Sequence, residues 1–370
     1  MRVREVILEG GNVQIGAQSA ERIDLKKLQR DQVVPLIDDA LKAINAGFQG
    51  MFKRPLWNPA LLTSRRFLSG SAFHFFNLAG IPTDQFVKYK PTVGDIDTQV
   101  DQSLADEAKQ FLDAAQGQQF GSATLVGYKS SVEQLITLWS FKNPAINIQI
   151  DLEFVEYEGD EPSEWAQFSH SSAWNDIEAG IKGVFHKYLL RALSTPSLRD
   201  VVILSGKKET PKVVKTTDLA FAVTRGLRYK LSPVMDDGKQ RRIDGLDVFK
   251  EIPTKDSTYE TNLFVIAKIF FGKKFNSNDL QQFWSFLGTL ELVKKYFNKE
   301  QQAAVIQGFV YTLFGPGAQS LYREDPAQDA QDKNAALEIM VKTLGVGYDR
   351  AAVDAMRKDY YAAKTEKFFS

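Results

Sequence analysis

The run Ile146-Asn-Ile-Gln-Ile-Asp-Leu-Glu-Phe-Val155 constrains the fold more than any other part of the chain. Apolar residues fall at positions 146, 148, 150 and 152, with polar ones between them. Side chains on a strand alternate between two faces, so the run predicts a strand with one face in a core. Asp151 and Glu153 share the other face. A lone carboxylate among Ile148, Ile150 and Leu152 is costly if buried, so Asp151 asks for a counter-cation. Upstream, Val93-Gly-Asp-Ile-Asp-Thr-Gln-Val100 sets Asp95 and Asp97 two residues apart. That places both carboxylates on one face of a second strand, with Ile96 packed behind them.

Three carboxylates on neighbouring strands can hold two Mg²⁺ ions about 4 Å apart, the arrangement used for in-line phosphoryl or nucleotidyl transfer. Mg²⁺ prefers oxygen ligands and keeps room for water and phosphate. Asp95, Asp97 and Asp151 are therefore the candidate metal ligands and catalytic residues, with Glu153 an alternative third ligand. An Asp-x-Asp pair alone suits a solvated strand end equally well. The Gly70-Ser71 turn upstream, a helix downstream and the acid inside an apolar strand favour the metal reading. Asp101 lies further along the same strand parity and reads as the start of the next helix.

Composition narrows the alternatives. The chain has no Cys, which excludes disulfides, thiolate zinc sites and cysteine nucleophiles. It has three His, too few for a His-rich metal site. Lys+Arg and Asp+Glu are both 46, so bulk charge does not drive nucleic-acid binding, although a local basic groove is compatible with that balance. The N-terminal MRVREVILEGGN lacks the apolar core of a signal peptide, and no apolar run approaches the length of a membrane span. A cytoplasmic protein without a membrane segment is expected.

A length of 370 residues predicts two domains. Apolar residues at three- and four-residue steps from Asp24 to Ala46 predict an amphipathic helix, with Pro35 a break or kink and Gly47 a stop. Residues 48–64 read as loop, Arg65–Gly70 as a short strand, and Ala72–Leu78 as a short helix. Phe86–Val100 reads as mostly extended and Leu104–Ala115 as a helix. Strands are expected at Ala123–Tyr128, Gln134–Phe141 and Ile146–Val155, then an acidic loop at Glu156–Glu164. Asn175 caps a helix running to Leu193. Asp237-Gly238 signals a β-hairpin within 219–249. From Pro253 onward helices are expected at Leu263–Phe271, Leu280–Tyr296, Gln301–Phe314, Asn334–Leu344 and Ala351–Lys364. The expected fold is α+β: a mixed, mainly antiparallel sheet flanked by helices over residues 1–252, then an all-helical domain over 253–370.

The order Gly70-Ser71, Asp95-Ile-Asp97, then Asp151 in a later strand resembles the DNA polymerase β-like nucleotidyltransferase superfamily, over roughly residues 65–155. More narrowly, Glu9-Gly-Gly-Asn12, Glu21-Arg-Ile23 and Gly94–Asp101 look like a nucleotidyltransferase-like group of tailed bacteriophages, which implies a viral origin and the host cytoplasm. The resemblance implies that Gly70 and Ser71 approach the triphosphate, where backbone N–H groups at a turn favour anions. It implies that Asp95 and Asp97 ligate both ions, and that Asp151 ligates the catalytic ion and takes the proton of the attacking hydroxyl. The implied ligands are two Mg²⁺ ions and an NTP, ATP among them. The acceptor hydroxyl is left open between RNA such as a tRNA 3′ end, a protein side chain and a small molecule. A non-catalytic nucleotide-binding or structural phage protein, and a toxin-like enzyme modifying host tRNA or protein, are the competing readings. The stretch from Ser71 to Asp95 is longer than the family's usual spacing, so residues around Gly80–Pro91 loop out or form another element.

Triphosphate chemistry needs cations near the leaving group. Lys129 and Lys182 are the chosen candidates, from a set that includes Arg65, Arg66, Lys88, Lys90, Lys187, Arg225 and Arg228. His170 and His186 are further ligand candidates. Gly121-Ser and Gly315-Pro-Gly317 lack the Lys-Ser/Thr of a P-loop. The aromatic run Phe270, Phe271, Phe275, Phe283, Trp284, Phe286 has the spacing of a helical core rather than a base-stacking platform.

Overall fold

The computed structural model describes residues 13–76, 82–131, 133–170, 181, 183–194, 201–205, 209–214, 219–222, 226–229, 231–251, 259–315, 318 and 326–369. They form a mixed α+β protein. The chain divides into two units, 1–180 and 181–370. The join read near residue 252 falls inside the second unit, outside the described residues.

The first unit is built on five strands: β1 (Asp95–Asp101), β2 (Gln119–Phe120), β3 (Ala123–Ser130), β4 (Gln134–Lys142) and β5 (Ala145–Val155). Their spatial order is β1-β5-β4-β3-β2. The β2 to β5 run is antiparallel, and β1 pairs parallel to β5 with Asp97 opposite Asp151. Strand alternation separates the two faces. Ile96, Val100, Leu125, Leu135, Trp139, Ile148, Ile150 and Leu152 point into the main core. Helices α1 (Arg30–Phe52) and α4 (Ala105–Ala115) cover that face with Val33, Ile37, Leu41, Ile44, Phe48, Ala108, Phe111 and Leu112. On the opposite face Ile136 and Leu138 pack with Val13, Ile15, Ala20 and Val126. There the segment after Val13 lies against the sheet, held by Glu21 N–H to the Asn147 carbonyl at 2.8 Å.

Between α1 and α4 lie three short helices: Pro59–Ser64, inside the stretch read as loop and capped by the Asn58 side chain, then α2 (Gly70–Phe75) and α3 (Thr83–Tyr89). Three further expectations change here. Helix α1 runs through Gly47 and ends at Lys53, which adopts a left-handed conformation. Gly47 serves packing rather than termination, since a Cβ there would lie 2.6 Å from the Phe120 ring. The expected strand at 65–70 contracts to one bridge, Leu68 to Thr98, flanked by Gln99 N–H to the Phe67 carbonyl. Residues 83–89 are helical rather than extended, with Phe86 fully buried. That helix supplies the added element anticipated before Asp95. Asp101 starts the following turn as read, its side chain accepting from Ser103 N–H at 2.8 Å.

The second unit combines sheets with helices. The stretch expected as one strand from Leu219 pairs with itself, Leu219–Ala222 antiparallel to Gly226–Tyr229, in a three-stranded sheet with Tyr259–Glu260. Strands β6 (Val201–Ser205), β7 (Thr210–Val214), β8 (Leu231–Pro233) and β9 (Leu246–Glu251) line up as β7-β6-β9-β8, with β6 parallel to β9. The 201–214 strands carry no sequence expectation above, although Val-Val-Ile-Leu is an apolar run. The Asp237-Gly238 turn is present, both residues at positive φ, between Met235–Asp236 and Lys239–Gln240. Helices α5 (Gly183–Leu193), α6 (Leu263–Phe271), α7 (Phe286–Tyr296), α8 (Lys299–Phe314), α9 (Pro326–Leu344) and α10 (Arg350–Phe369) accompany the strands, α9 starting before its apolar spacing does. The helix expected from Leu280 is interrupted at Ser285, whose side chain caps α7 by accepting from Gly288 N–H. Phe270, Phe271, Phe283 and Phe286 are core residues, as read. The capping role of Asn175 and the Pro316-Gly317 break lie outside the described residues.

Candidate metal centre

Parallel pairing of β1 with β5 puts Asp97 directly opposite Asp151, and Asp95 opposite Gln149. All four side chains lie on the face away from the main core. Asp95, Asp97 and Asp151 each present a carboxylate oxygen, and these oxygens lie within 4.8 Å of one another. Asp151 is buried at 4% exposure, while Asp95 and Asp97 are half-buried. The sheet fixes the spacing: neighbouring strands stand about 4.8 Å apart, close enough for facing carboxylates to share an ion.

The local backbone is built around this cluster. Ser69 N–H donates to the Asp97 carbonyl at 3.0 Å, which brings Gly70 against the Asp97 side chain. A Cβ at Gly70 would collide with that carboxylate, and Gly70 adopts φ +53°, a conformation that favours glycine. Thr98 Oγ1 donates to the Asp151 carbonyl at 2.7 Å, stitching the two acidic strands together. Gln149 Nε2 donates to both Asp151 oxygens, at 3.0 and 2.9 Å. Glu153 sits one same-face position further along β5, opposite Gln99, and accepts from Ser69 Oγ at 2.9 Å.

Electrostatics follow from the crowding. Burial first, then Asp95, Glu153 and Asp151, push the Asp97 carboxyl well above the usual carboxylate range, with Lys90 opposing. Burial and Asp95 do the same to Asp151, against the hydrogen bonds from Gln149. Like charges held this close are stabilised by a bound cation. The donor set is all oxygen, which suits Mg²⁺, Mn²⁺ or Ca²⁺.

The structure distributes the other candidates unevenly. Gly70 touches the cluster, and Ser71 is buried at 6% exposure. Lys129 opposes Ile136, which opposes Asp151, so Lys129 is exposed on the same rung, two strands and about 10 Å from the acid. Lys90 is close enough to act on Asp97. Arg65 pairs with Asp38 through two bonds of 3.2 and 2.8 Å and lies over Phe76. Arg66 pairs at the surface with Glu161. Lys88 lines a surface cavity with Lys26, Val87 and Pro91. In the second unit His186 is buried, its Nε2 3.2 Å from Thr289 Oγ1, and burial holds its pKa at about 3. Lys182, Arg225 and the side chains of His170 and Arg228 lie outside the described residues.

Ser69 and Gln149 escaped the sequence reading. Strand parity offered a signal for Gln149, two residues before Asp151, whereas Ser69 becomes visible only once the 67–69 bridge to β1 is known. Comparison with known proteins finds no matching family model, curated protein or solved structure. Among the described residues, no helix is long and apolar enough to cross a membrane.

Proposed function

We propose that the protein is a divalent-cation-dependent nucleotidyltransferase of the DNA polymerase β-like kind, with the first unit carrying the chemistry. The supporting observation is the convergence of Asp95, Asp97 and Asp151 on adjacent strands, with Gly70 packed against Asp97. In this reading Asp95 and Asp97 would hold two Mg²⁺ ions and Asp151 the catalytic one, and the bound ions would supply charge neutralisation on the triphosphate and a lowered pKa for the acceptor hydroxyl. The acceptor oxygen bonds to the α-phosphorus, the bond from that phosphorus to the bridging oxygen breaks, and pyrophosphate leaves. Asp151, on the strand beside the ions, would take the hydroxyl proton. Lys90 and Lys129 offset charge on the phosphates.

The test is incubation of the full chain with each α-labelled NTP and Mg²⁺, with total RNA and protein extract as acceptors. Label should pass to one acceptor class, and Asp95→Ala and Asp97→Ala should each lower transfer by at least about 100-fold. Equal transfer by both variants would sink the assignment. A second reading, a non-catalytic nucleotide-binding protein of the same fold, is favoured by the burial of Ser71 and by Gly70 already occupied with Asp97. It expects Mg²⁺-dependent NTP binding without transfer to any acceptor.

A further inference from the structure

We propose that Gln149 is a positioning residue of the metal centre, fixing the Asp151 carboxylate and tying it to the 13–20 segment. This rests on the metal-centre reading above. Gln149 is buried at 3% exposure, on the acidic face of β5, between Asp95 on one neighbouring strand and Leu138 on the other. One end of its amide donates to both oxygens of Asp151, at 3.0 and 2.9 Å. The other end accepts the Val13 N–H at 3.1 Å. A carboxylate only accepts and a backbone N–H only donates, so both ends fix the same amide orientation.

The anchor is itself held. Ala20 N–H donates to the Val13 carbonyl at 2.8 Å, and Val13, Ile15 and Ala20 pack on Ile136, Leu138 and Val126. Swinging Gln149 away would strand a buried N–H and a buried carboxylate together. The amide also does something a lysine at this position could not. It orients a negative ligand without placing a positive charge beside the incoming cation. Partners that orient ligands in this way are worth roughly 10- to 100-fold in metal affinity.

The experiment is Mn²⁺ titration of the full chain, followed by electron paramagnetic resonance into the millimolar range. Six proteins are compared: wild type, Gln149→Met, Gln149→Asn, Asp151→Asn alone, and Asp151→Asn combined with each Gln149 variant. Methionine keeps the volume and loses both hydrogen bonds, whereas asparagine keeps the amide but is one methylene too short to span both partners. Melting in chelator reports the metal-free fold of each variant. Expected is a weakening of Mn²⁺ binding of about tenfold or more in the wild-type background. In the Asp151→Asn background the same change should alter affinity by less than about twofold, because Gln149 acts through Asp151. Unchanged affinity, or an equal loss in both backgrounds, overturns the positioning role. The metal-centre reading has its own control: Mn²⁺ binding that survives Asp95→Asn/Asp97→Asn at full strength removes that reading, and the proposal with it.

Discussion

Gly70 is where the backbone and the chemistry meet. Its φ of +53° costs a non-glycine residue about 1–2 kcal/mol, and its missing Cβ leaves the space that the Asp97 carboxylate fills. Gly70→Ala should therefore destabilise the protein by at least about 1–2 kcal/mol and weaken Mn²⁺ binding by displacing Asp97. Denaturant melts and a Mn²⁺ titration check the two effects, and wild-type values in both would remove the close-packed turn from the account. The glycine's importance could be seen in the sequence, but its neighbour could not. Gly70-Ser71 suggests a turn before a helix, whereas contact with Asp97 depends on the 67–69 bridge to β1, which contracts a strand that looked longer. The acids were legible because strand parity alone predicts their shared face. Ser69 and the Val13 anchor of Gln149 depend on long-range pairing that no local pattern carries.

At the scale of elements, helix α9 shows how a polar stretch joins a core. Sequence periodicity starts this helix at Asn334, yet it begins at Pro326. The reason is a pair spaced one helical turn apart: Asp329 and Lys333 are both fully buried, 3.2 Å from each other. Lys333 Nζ donates to Tyr360 Oη at 2.9 Å, and Tyr361 Oη donates to Asp329 at 3.0 Å, so two tyrosines of α10 close the network. The ammonium also lies over the Tyr360 ring at 4.2 Å. Charges that neutralise each other let the helix cover a segment that lacks apolar spacing. Lys333→Met should cost about 3–5 kcal/mol, because it leaves Asp329 buried without its cation. Lys333→Met/Asp329→Leu should recover most of that loss, measured by urea unfolding. Helix α3 errs in the opposite direction. Phe86, Val87 and Tyr89 have strand-like composition, yet full burial of Phe86 holds them in a helix.

For the molecule as a whole, the acidic face should make stability depend on pH and on cations. Asp97 and Asp151 hold protons more tightly folded than unfolded, so the stability they contribute is complete below the unfolded carboxylate pKa of 3.8. It is lost as pH rises through their raised folded values. His74 and His186 run the other way, since burial holds them at about 2 and about 3. Their contribution is present above the ordinary histidine value of 6.5 and falls away below it. The difference between wild type and Asp97→Asn isolates the acids. In chelator at neutral pH, Asp97→Asn should melt higher than wild type, and the gap should close on acidification. Addition of Mn²⁺ should reverse the order, and an order that ignores both pH and metal would mean the carboxylates do not repel one another.

The parallel pairing of β1 with β5 has a kinetic consequence. Strands β3, β4 and β5 form successive antiparallel neighbours, and their contacts are local in the chain. Asp97 and Asp151 meet only through the pairing of β1 with β5, which are separated in the chain by α4 and the rest of the meander. Loop closure delays such non-local contacts. Neither strand alone brings the three acids together, so a cation that binds them should find its site late in folding. Such a cation should select the finished sheet, and metal should slow unfolding of this unit far more than it speeds refolding.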